Sequence, residues 1–253
     1  MYQEPSLQGR VALVTGVSRA SGIGAGVALR LHEMGATVVA TGWPLHDAEM
    51  PWGNETITAP FPIAQHNLEL ADAPAALVDE VVDAHGRLDI VVAVHARSSS
   101  QSLHSLTADE LQRSWSANVQ SVLLLAQQFA ARHEPAPSLQ PPTGRMLWFT
   151  SGQHLGPMES ELAYAVTKGA LHQMTGSVDR ALAEHRITAN CINPGPVDTG
   201  YATPDVHQQV SSMFPDQRWG TPADVANLVA FLVSDEGSWI RGQVLNSEGG
   251  FQR

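Results

Sequence analysis

Arg10-Val-Ala-Leu-Val-Thr15, followed by Gly16-Val-Ser-Arg-Ala-Ser-Gly22-Ile-Gly24, is the stretch of sequence that decides the fold. Its first part is short, apolar and β-branched, which predicts a strand buried on both faces. The glycines predict a tight turn, and the residues from Ile23 to Met34 predict a helix that ends at Gly35. A second apolar run, Ala36 to Ala40, follows. This order of strand, helix and strand predicts parallel pairing with a right-handed crossover.

The same alternation continues along the chain. It predicts an α/β protein with a single-domain, doubly wound Rossmann fold, in which a parallel sheet of about seven strands has helices on both faces. No stretch has the composition of a linker, and we expect residues 1–253 to form one domain. The further predicted helices are 75–85, 107–133, 163–184 and 221–233, and the further predicted strands are 88–94, 145–150, 187–192 and 242–245.

Composition narrows the class of protein. The 253 residues are 43% apolar and 15% charged, and 25 acidic against 14 basic residues give a net charge of −11. That charge opposes binding to nucleic acid and to anionic membranes. Cys191 is the one cysteine, residues 1–9 lack the apolar core of a signal peptide, and no run of 18 apolar residues occurs. We therefore expect a cytoplasmic protein whose low charged fraction reflects either a large core or burial of surface between subunits.

The turn after the first strand has the features of a phosphate-binding loop. Glycines let a dinucleotide pyrophosphate approach the backbone, and the N-terminus of the next helix offers free N–H groups and a partial positive charge. Because this turn is the first βα turn of a βαβ unit, we predict a nucleotide cofactor; a plain tight turn is the alternative. The eleven histidines form no ligand pair with metal-site spacing, so no metal is expected.

A candidate acid–base pair lies later in the chain. Tyr164 and Lys168 are four positions apart, which places them on one face of the predicted helix. A neighbouring ammonium favours the phenolate and lowers the pKa of a tyrosine, so Tyr164 could exchange a proton with an alcohol or carbonyl. Ser151 follows a predicted strand at the sheet edge where such folds bind ligands. A solvated helix face is the alternative interpretation.

Taken together, these motifs resemble the short-chain dehydrogenase/reductase family. The family pattern appears in order as Thr15-Gly16 with Gly22-Ile23-Gly24, Asn118, Ser151, Tyr164-x-x-x-Lys168 and Asn193-Pro194-Gly195-Pro196-Val197-Asp198-Thr199. The chain is most similar to the branch that includes 3-oxoacyl-carrier-protein reductases and many ketoreductases. The resemblance implies an NAD(P)-dependent oxidoreductase that transfers a hydride between nicotinamide and a carbonyl compound or secondary alcohol.

The resemblance also implies roles for individual residues. Tyr164 would be the general acid/base, Ser151 would hydrogen-bond the reacting oxygen, Lys168 would lower the pKa of Tyr164 and hold the ribose, and Asn118 would anchor a water. Expected cofactor contacts are Gly16, Ser18, Arg19, Ser21, Gly22, Ile23, Gly24, Asn67, Leu68, Tyr164, Lys168, Pro194, Gly195, Val197 and Thr199. Expected substrate contacts are His154, Met158, Glu159 and Tyr201.

Three departures from the family pattern matter. Five residues separate Gly16 from Gly22 where the family has three. His95 lies in Ala93-Val94-His95-Ala96, where the family has Asn-Asn-Ala-Gly, and either a structural role or a contact with cofactor or substrate is open to it. Thr41-Gly42-Trp43 lacks the acidic residue that binds the ribose 2′-hydroxyl in NAD-preferring relatives. Because Arg19 could pair with a 2′-phosphate, we expect NADP in preference to NAD.

Two Pro-rich stretches interrupt the alternation. The first, residues 41–62, contains four prolines and predicts a long loop in place of a helix. We hypothesise that it closes over the cofactor through Trp52; a packed surface loop or a subunit contact is the alternative. The second, 135–142, predicts a surface loop.

Partners and rival functions follow from the same resemblance. Family members pair the helices that carry Asn118 and Tyr164 across an interface, so we expect a homotetramer or homodimer that acts on a small molecule. Two other functions stay open: a catalytically inactive nucleotide-binding or regulatory protein, and a dehydratase or epimerase with transient nicotinamide redox. The combination of Asn118, Ser151, Tyr164 and Lys168 favours turnover, because a pure binder has no need of a tuned phenol.

Overall fold

The computed structural model describes residues 5–53, 55–134 and 143–252. Its centre is a seven-stranded parallel sheet with the order β3-β2-β1-β4-β5-β6-β7, which confirms the doubly wound Rossmann fold. The strands are β1 Val11–Thr15, β2 Thr37–Gly42, β3 Ile63–Gln65, β4 Ile90–Ala93, β5 Gly144–Phe149, β6 Ile187–Asn193 and β7 Val244–Asn246. The helices are α1 Ile23–Glu33, α2 Pro44–Glu49, α3 Ala73–His85, α4 Ala108–Trp115, α5 Ser121–Arg132, α6 Leu162–Leu182, α7 Pro204–Ser211 and α8 Pro222–Val233.

Helices cover both faces of the sheet, and each face has its own apolar core. Successive residues of β1 point to opposite faces: Ala12 and Val14 pack with α1 and α8, whereas Leu13 packs with α3, α5 and α6. All five residues of β1 are buried. The strand is therefore apolar throughout instead of alternating, as expected for a parallel sheet that is covered on both sides.

The register of the sheet determines where a ligand can bind. Thr15, the last residue of β1, pairs with Thr41 of β2 and Ala93 of β4. The carboxyl ends of these strands therefore lie at one edge, and the chain leaves β1 and β4 in opposite directions along the sheet. This is the topological switch point at which open α/β sheets bind ligands.

The structure differs from the sequence predictions in four elements, one of which is the unpredicted helix α7, Pro204–Ser211. Residues 41–62 contain a six-residue helix, α2, so the expectation of a loop without a helix is wrong. Its first residue, Pro44, occupies a position where no backbone donor is needed. The three-residue edge strand β3 was not predicted, and the predicted helix over 107–133 is α4 and α5 joined by a π-helical turn at Ser116–Gln120. The predicted loop over 135–142 lies outside the described residues.

No helix in the described ranges combines the length and apolarity needed to cross a bilayer.

Candidate active site

A cavity of about 940 Å³ opens at the switch point. Its walls come from the glycine turn after β1, the segment around α2, and the loops that follow β4, β5 and β6. Most of the residues expected at the site line it: Gly16, Ser18, Arg19, Gly22, Ile23, Gly24, Ser151, Met158, Tyr164, Pro194, Gly195, Val197, Thr199 and Tyr201.

The glycine turn is built for close backbone approach. Gly16 has φ +76°, and a Cβ there would lie 2.5 Å from the backbone nitrogen of His95. A Cβ on Gly24 would lie 2.3 Å from the carbonyl oxygen of Gly16. Helix α1 starts after Gly22 without a side-chain cap, so its first N–H groups are available to an anion. The turn fits a pyrophosphate.

The α2 side of the cavity has unsatisfied polar groups. His46 Nδ1 and Ser99 Oγ are buried and have no hydrogen-bond partner within the described residues, although both residues line the cavity. The ring of His46 stacks on Trp43 with centroids 4.9 Å apart. A buried polar group without a partner costs about 1–3 kcal/mol, so this side fits a polar, ring-bearing group such as adenosine.

Tyr164 and Ser151 meet at the other side of the cavity. Burial raises the pKa of Tyr164 above its ordinary value, and the nearby Glu161 carboxylate raises it further. A hydrogen bond with Ser151 acts in the opposite direction. The net direction is opposite to the lowering by Lys168 that the resemblance implies, because in this arrangement loss of solvation outweighs the hydrogen bond with Ser151.

Lys168 lies beneath Tyr164 on α6. Its Nζ is 5.3 Å from the centroid of the Tyr164 ring and donates a hydrogen bond to the carbonyl oxygen of Phe149 at 2.9 Å. Burial lowers the pKa of Lys168 to about 8. The ammonium thus sits between the strand β5 and the phenol, and its charge is sensitive to mild alkali.

Asn118 lies in the π-helical turn, and protein groups bind both ends of its amide. Its Oδ1 accepts from the backbone nitrogen of Arg97 at 2.6 Å. Its Nδ2 donates to the carbonyl oxygen of Arg97 at 3.0 Å and to Thr167 Oγ1 at 2.9 Å. The side chain therefore ties the loop after β4 to the helix that carries Tyr164 and Lys168. Because the Asn118 amide is bonded to protein groups at both ends, the water that the resemblance implies at this place would have to bond to a backbone group instead.

His95 has a structural role within the segment Ala93-Val94-His95-Ala96, where the family pattern has Asn-Asn-Ala-Gly. Ser121 Oγ donates to the carbonyl oxygen of Ala117, so it accepts from His95 Nε2 at 2.8 Å. Nδ1 is then the acceptor for Thr15 Oγ1 at 2.6 Å. Burial and the charge of Lys168 lower the pKa of His95 to about 3. A neutral His95 thus joins the end of β1 to α5, and it also lines the cavity.

The lengthened turn bridges the cavity mouth. Arg19 Nη1 and Ser21 Oγ both donate to the carbonyl oxygen of Thr199, at 3.0 and 2.9 Å. The guanidinium of Arg19 lies 5.1 Å from the ring centroid of Trp52. The carboxylate of Glu55 accepts from the backbone nitrogen of Ala20 at 2.7 Å. Glu55 and Thr199 therefore hold Arg19, Ala20 and Ser21 of the lengthened turn.

Four of the expected site residues lie elsewhere. Asn67 Oδ1 accepts from the backbone nitrogen of Glu69, and Leu68 is buried in the core, so neither lines the cavity. His154 is exposed and packs on His172, while Glu159 is exposed beyond the cavity wall. A short 3₁₀ turn after Ser151 directs this segment outward. No group of three or more potential ligands in the described ranges could hold a metal ion.

Three acidic or imidazole side chains at the cavity were missed by sequence reasoning. They are His46, Asp47 and Glu161. The first two lie on α2, the helix that the sequence did not predict, so no signal could have found them. Glu161 precedes Tyr164 by three positions, and helical spacing alone could have placed it beside the phenol.

The sheet topology, the glycine turn and the cavity define a dinucleotide-binding α/β protein of the Rossmann class. The sequence pattern of the family described as enoyl-(acyl carrier protein) reductase matches residues 16–252. An uncharacterized oxidoreductase of Bacillus subtilis (strain 168), YjdA, is 36% identical over 252 residues, covering 97% of this chain and 98% of YjdA. The chain belongs to the short-chain dehydrogenase/reductase family.

Solved structures of relatives agree with this assignment. A short-chain dehydrogenase/reductase from Serratia marcescens BCRC 10948 superposes with a TM-score of 0.81 at 28% identity, covering 97% of this chain and 98% of that one. A short chain dehydrogenase from Burkholderia cenocepacia J2315, solved in complex with NADP, has a TM-score of 0.80 at 32% identity, with 96% and 98% covered.

Proposed function

We propose that the protein transfers a hydride between nicotinamide and a carbonyl compound or secondary alcohol, with Tyr164 as general acid/base. The observation that carries this proposal is that Ser151 and Tyr164 meet at the cavity that also contains the glycine turn, with the buried Lys168 Nζ 5.3 Å from the centroid of the Tyr164 ring. Membership of an oxidoreductase family is consistent with it.

The residues divide the work of reduction among them. When bound, the nicotinamide supplies the hydride. Tyr164 donates a proton to the carbonyl oxygen, and its raised pKa keeps the phenol protonated at neutral pH. Ser151 hydrogen-bonds the same oxygen and orients it. Lys168 stabilises the phenolate that remains, and Asn118 positions the helix that carries both residues.

We propose NADP as the preferred cofactor. Cofactor contacts would come from the turn and the segment after β6, with Ile23 and Gly24 at the pyrophosphate and Val197 and Thr199 at the nicotinamide side. The residue after β2 is Trp43, which brings no negative charge against a 2′-phosphate, and Arg19 is the cation that lines the cavity in the described part of the chain. The Burkholderia relative was solved with NADP.

Tyr164→Phe is the first test of this proposal. Loss of the proton donor should lower kcat for ketone reduction by about 10²–10⁴-fold. Binding of NADPH, followed by its fluorescence, should change little because the ring is retained. Tyr201→Phe is the matched control, since it removes a hydroxyl from the same cavity, and it should keep kcat within about tenfold. Undiminished turnover by Tyr164→Phe would refute the assigned role.

A further inference from the structure

The substrate side of the cavity contains a carboxylate that no cation neutralises. Glu161 immediately precedes α6, three positions before Tyr164, and lines the cavity. Within the described residues its carboxylate has neither a hydrogen bond nor an ion pair. By contrast, Glu110 is buried against Arg97, which donates two hydrogen bonds to it at 2.9 Å. Glu110, which lies away from the cavity, is thus paired with an arginine, whereas Glu161, which lines the cavity, is not.

The charges around Glu161 do not compensate it. The other charged side chains of the cavity lining, in the part of the chain described, are Arg19 and Asp47. Arg19 already donates to Thr199, and Asp47 accepts from the indole nitrogen of Trp52 at 2.8 Å. Asp198 adds negative charge near Tyr201. The nearby cation Lys168 donates to the carbonyl oxygen of Phe149 and does not line the cavity, so within the described residues Glu161 lines it without a paired cation.

The surroundings of Glu161 suit a small cation. Burial raises the pKa of its carboxyl above the ordinary value, which is the cost of a half-buried acid without a partner. The same carboxylate lines the cavity together with Tyr164 and Tyr201, and its charge raises the pKa of both phenols. A carboxylate beside an aromatic ring is a favourable site for an ammonium group, and it repels a carboxylate or phosphate.

We propose that Glu161 selects the substrate, so that the cavity takes a carbonyl compound, or its alcohol, with an ammonium group one or two carbons from the reacting carbon. The inference rests on the proposed function. Glu161 directly precedes α6 and Tyr164 is the third residue of that helix, so the carboxylate and the phenol line the same cavity and one short amino ketone would contact both.

The charge at this cavity favours a cation near the reacting carbon and repels an anion there. The cavity therefore selects against substrates with a carboxylate or phosphate close to the carbonyl group.

Three ketones of similar size test the proposal. Aminoacetone carries an ammonium group, butanone is its neutral counterpart, and acetoacetate carries a carboxylate. We expect kcat/KM with NADPH to fall in that order. In Glu161→Gln, the ratio of kcat/KM for aminoacetone to that for butanone should fall at least about tenfold, as for loss of one charge-assisted contact. In Glu184→Gln, which alters an exposed carboxylate at the far end of the same helix, the ratio should stay unchanged.

Binding separates this proposal from the proposed function. The affinity of the three ketones for the NADPH-bound protein is measured by the change in fluorescence of the reduced cofactor. If none of the three ketones is reduced, the redox function fails, and the binding ratio still decides the charge preference. An equal aminoacetone-to-butanone ratio in the parent protein and Glu161→Gln, by either measure, overturns the proposal, as does a preference of the parent protein for acetoacetate. Urea midpoints of both variants establish that they are folded.

Discussion

At the scale of single residues, burial determines the charge states at this site. The family pattern has Asn-Asn-Ala-Gly where this chain has Ala93-Val94-His95-Ala96, and the histidine in this segment works because it is neutral: Nδ1 accepts from Thr15 while Nε2 donates to Ser121. Protonation would convert the acceptor into a donor and break the link to Thr15. The hydrogen-bond chain sets the tautomer of His95, whereas burial and the charge of Lys168 lower its pKa.

The protein should lose stability in mild acid because of His95. Its pKa is about 3 in the folded state and about 6.5 in the unfolded chain, so the unfolded state binds more protons below pH 6.5. From pH 6.5 to 5 this histidine should lower the free energy of unfolding by about 1–2 kcal/mol. Urea unfolding at both pH values measures this change in the free energy of unfolding. The variant His95→Asn should lose less stability than the parent protein between pH 6.5 and 5. An equal loss in both proteins would contradict a buried, neutral imidazole at His95.

The two directions of the reaction should respond differently to pH. Reduction uses the phenol of Tyr164, and oxidation uses the phenolate. Because the pKa of Tyr164 is raised and that of Lys168 is about 8, kcat/KM for alcohol oxidation should rise about tenfold per pH unit from 6.5 to 8, while reduction stays level. Initial rates with NADP and NADPH provide the test. A level oxidation profile would show that the phenol is not the titrating base.

At the scale of elements, the turn after β1 is in contact with the α2 segment, by which we mean α2 together with Trp52 and Glu55. The sequence shows the lengthened turn and the Pro-rich stretch, but it does not show that Glu55 accepts from the backbone of the turn or that Trp52 lies over Arg19. These are contacts between loops, which depend on where the flanking strands place them. The helix α2 and the edge strand β3 were not predicted either, because both elements are too short to carry a periodic pattern.

The α2 segment should control the release of the cofactor. Trp52→Ala removes the ring between Arg19 and Tyr201, and Glu55→Gln weakens the bond to the turn. We expect each to increase the dissociation rate of NADPH by about tenfold, the equivalent of 1.4 kcal/mol. Stopped-flow fluorescence measures that rate, and Leu45→Ala, an exposed change on α2, is the control. Unchanged rates in both variants would exclude closure of this segment over the cofactor.

The sequence predicts best those site residues whose position along a strand or helix is fixed. The glycine turn, Ser151, Tyr164 and Lys168 were all predicted, because each lies at the end of a strand or on one face of a helix. The substrate side was predicted less well: Met158 and Tyr201 line the cavity, whereas His154 and Glu159 do not. Both of the latter follow a 3₁₀ turn whose direction depends on tertiary packing, which spacing along the chain does not determine.

At the scale of the whole molecule, the chain combines a low charged fraction with exposed apolar side chains on the helices around the site. Leu111, Trp115 and Leu123 of α4 and α5, and Val166 of α6, are exposed although large and hydrophobic. They lie on the helices that family members pair between subunits. Such a patch on a chain with 15% charged residues favours self-association.

The protein should therefore form a homotetramer or homodimer. Light scattering after size exclusion should give a mass that is two or four times the chain mass of 27.1 kDa. Trp115→Glu places a charge on the patch and should lower the mass or raise the concentration needed for assembly, whereas Leu103→Glu, at an exposed site in the loop before α4, should not. A monomeric parent protein would contradict this account of its surface.

The central claim, hydride transfer, is tested most directly by isotope transfer. The protein is incubated with NADPH deuterated at C4 of the nicotinamide and with a ketone that it turns over, and the product is analysed by mass spectrometry. The account predicts one deuterium on the carbinol carbon for each NADPH oxidised, after the deuterated face has been matched to the enzyme. A product formed without net NADPH oxidation would indicate a dehydratase or epimerase, and cofactor binding without any product would indicate a regulatory protein; either result would contradict the account.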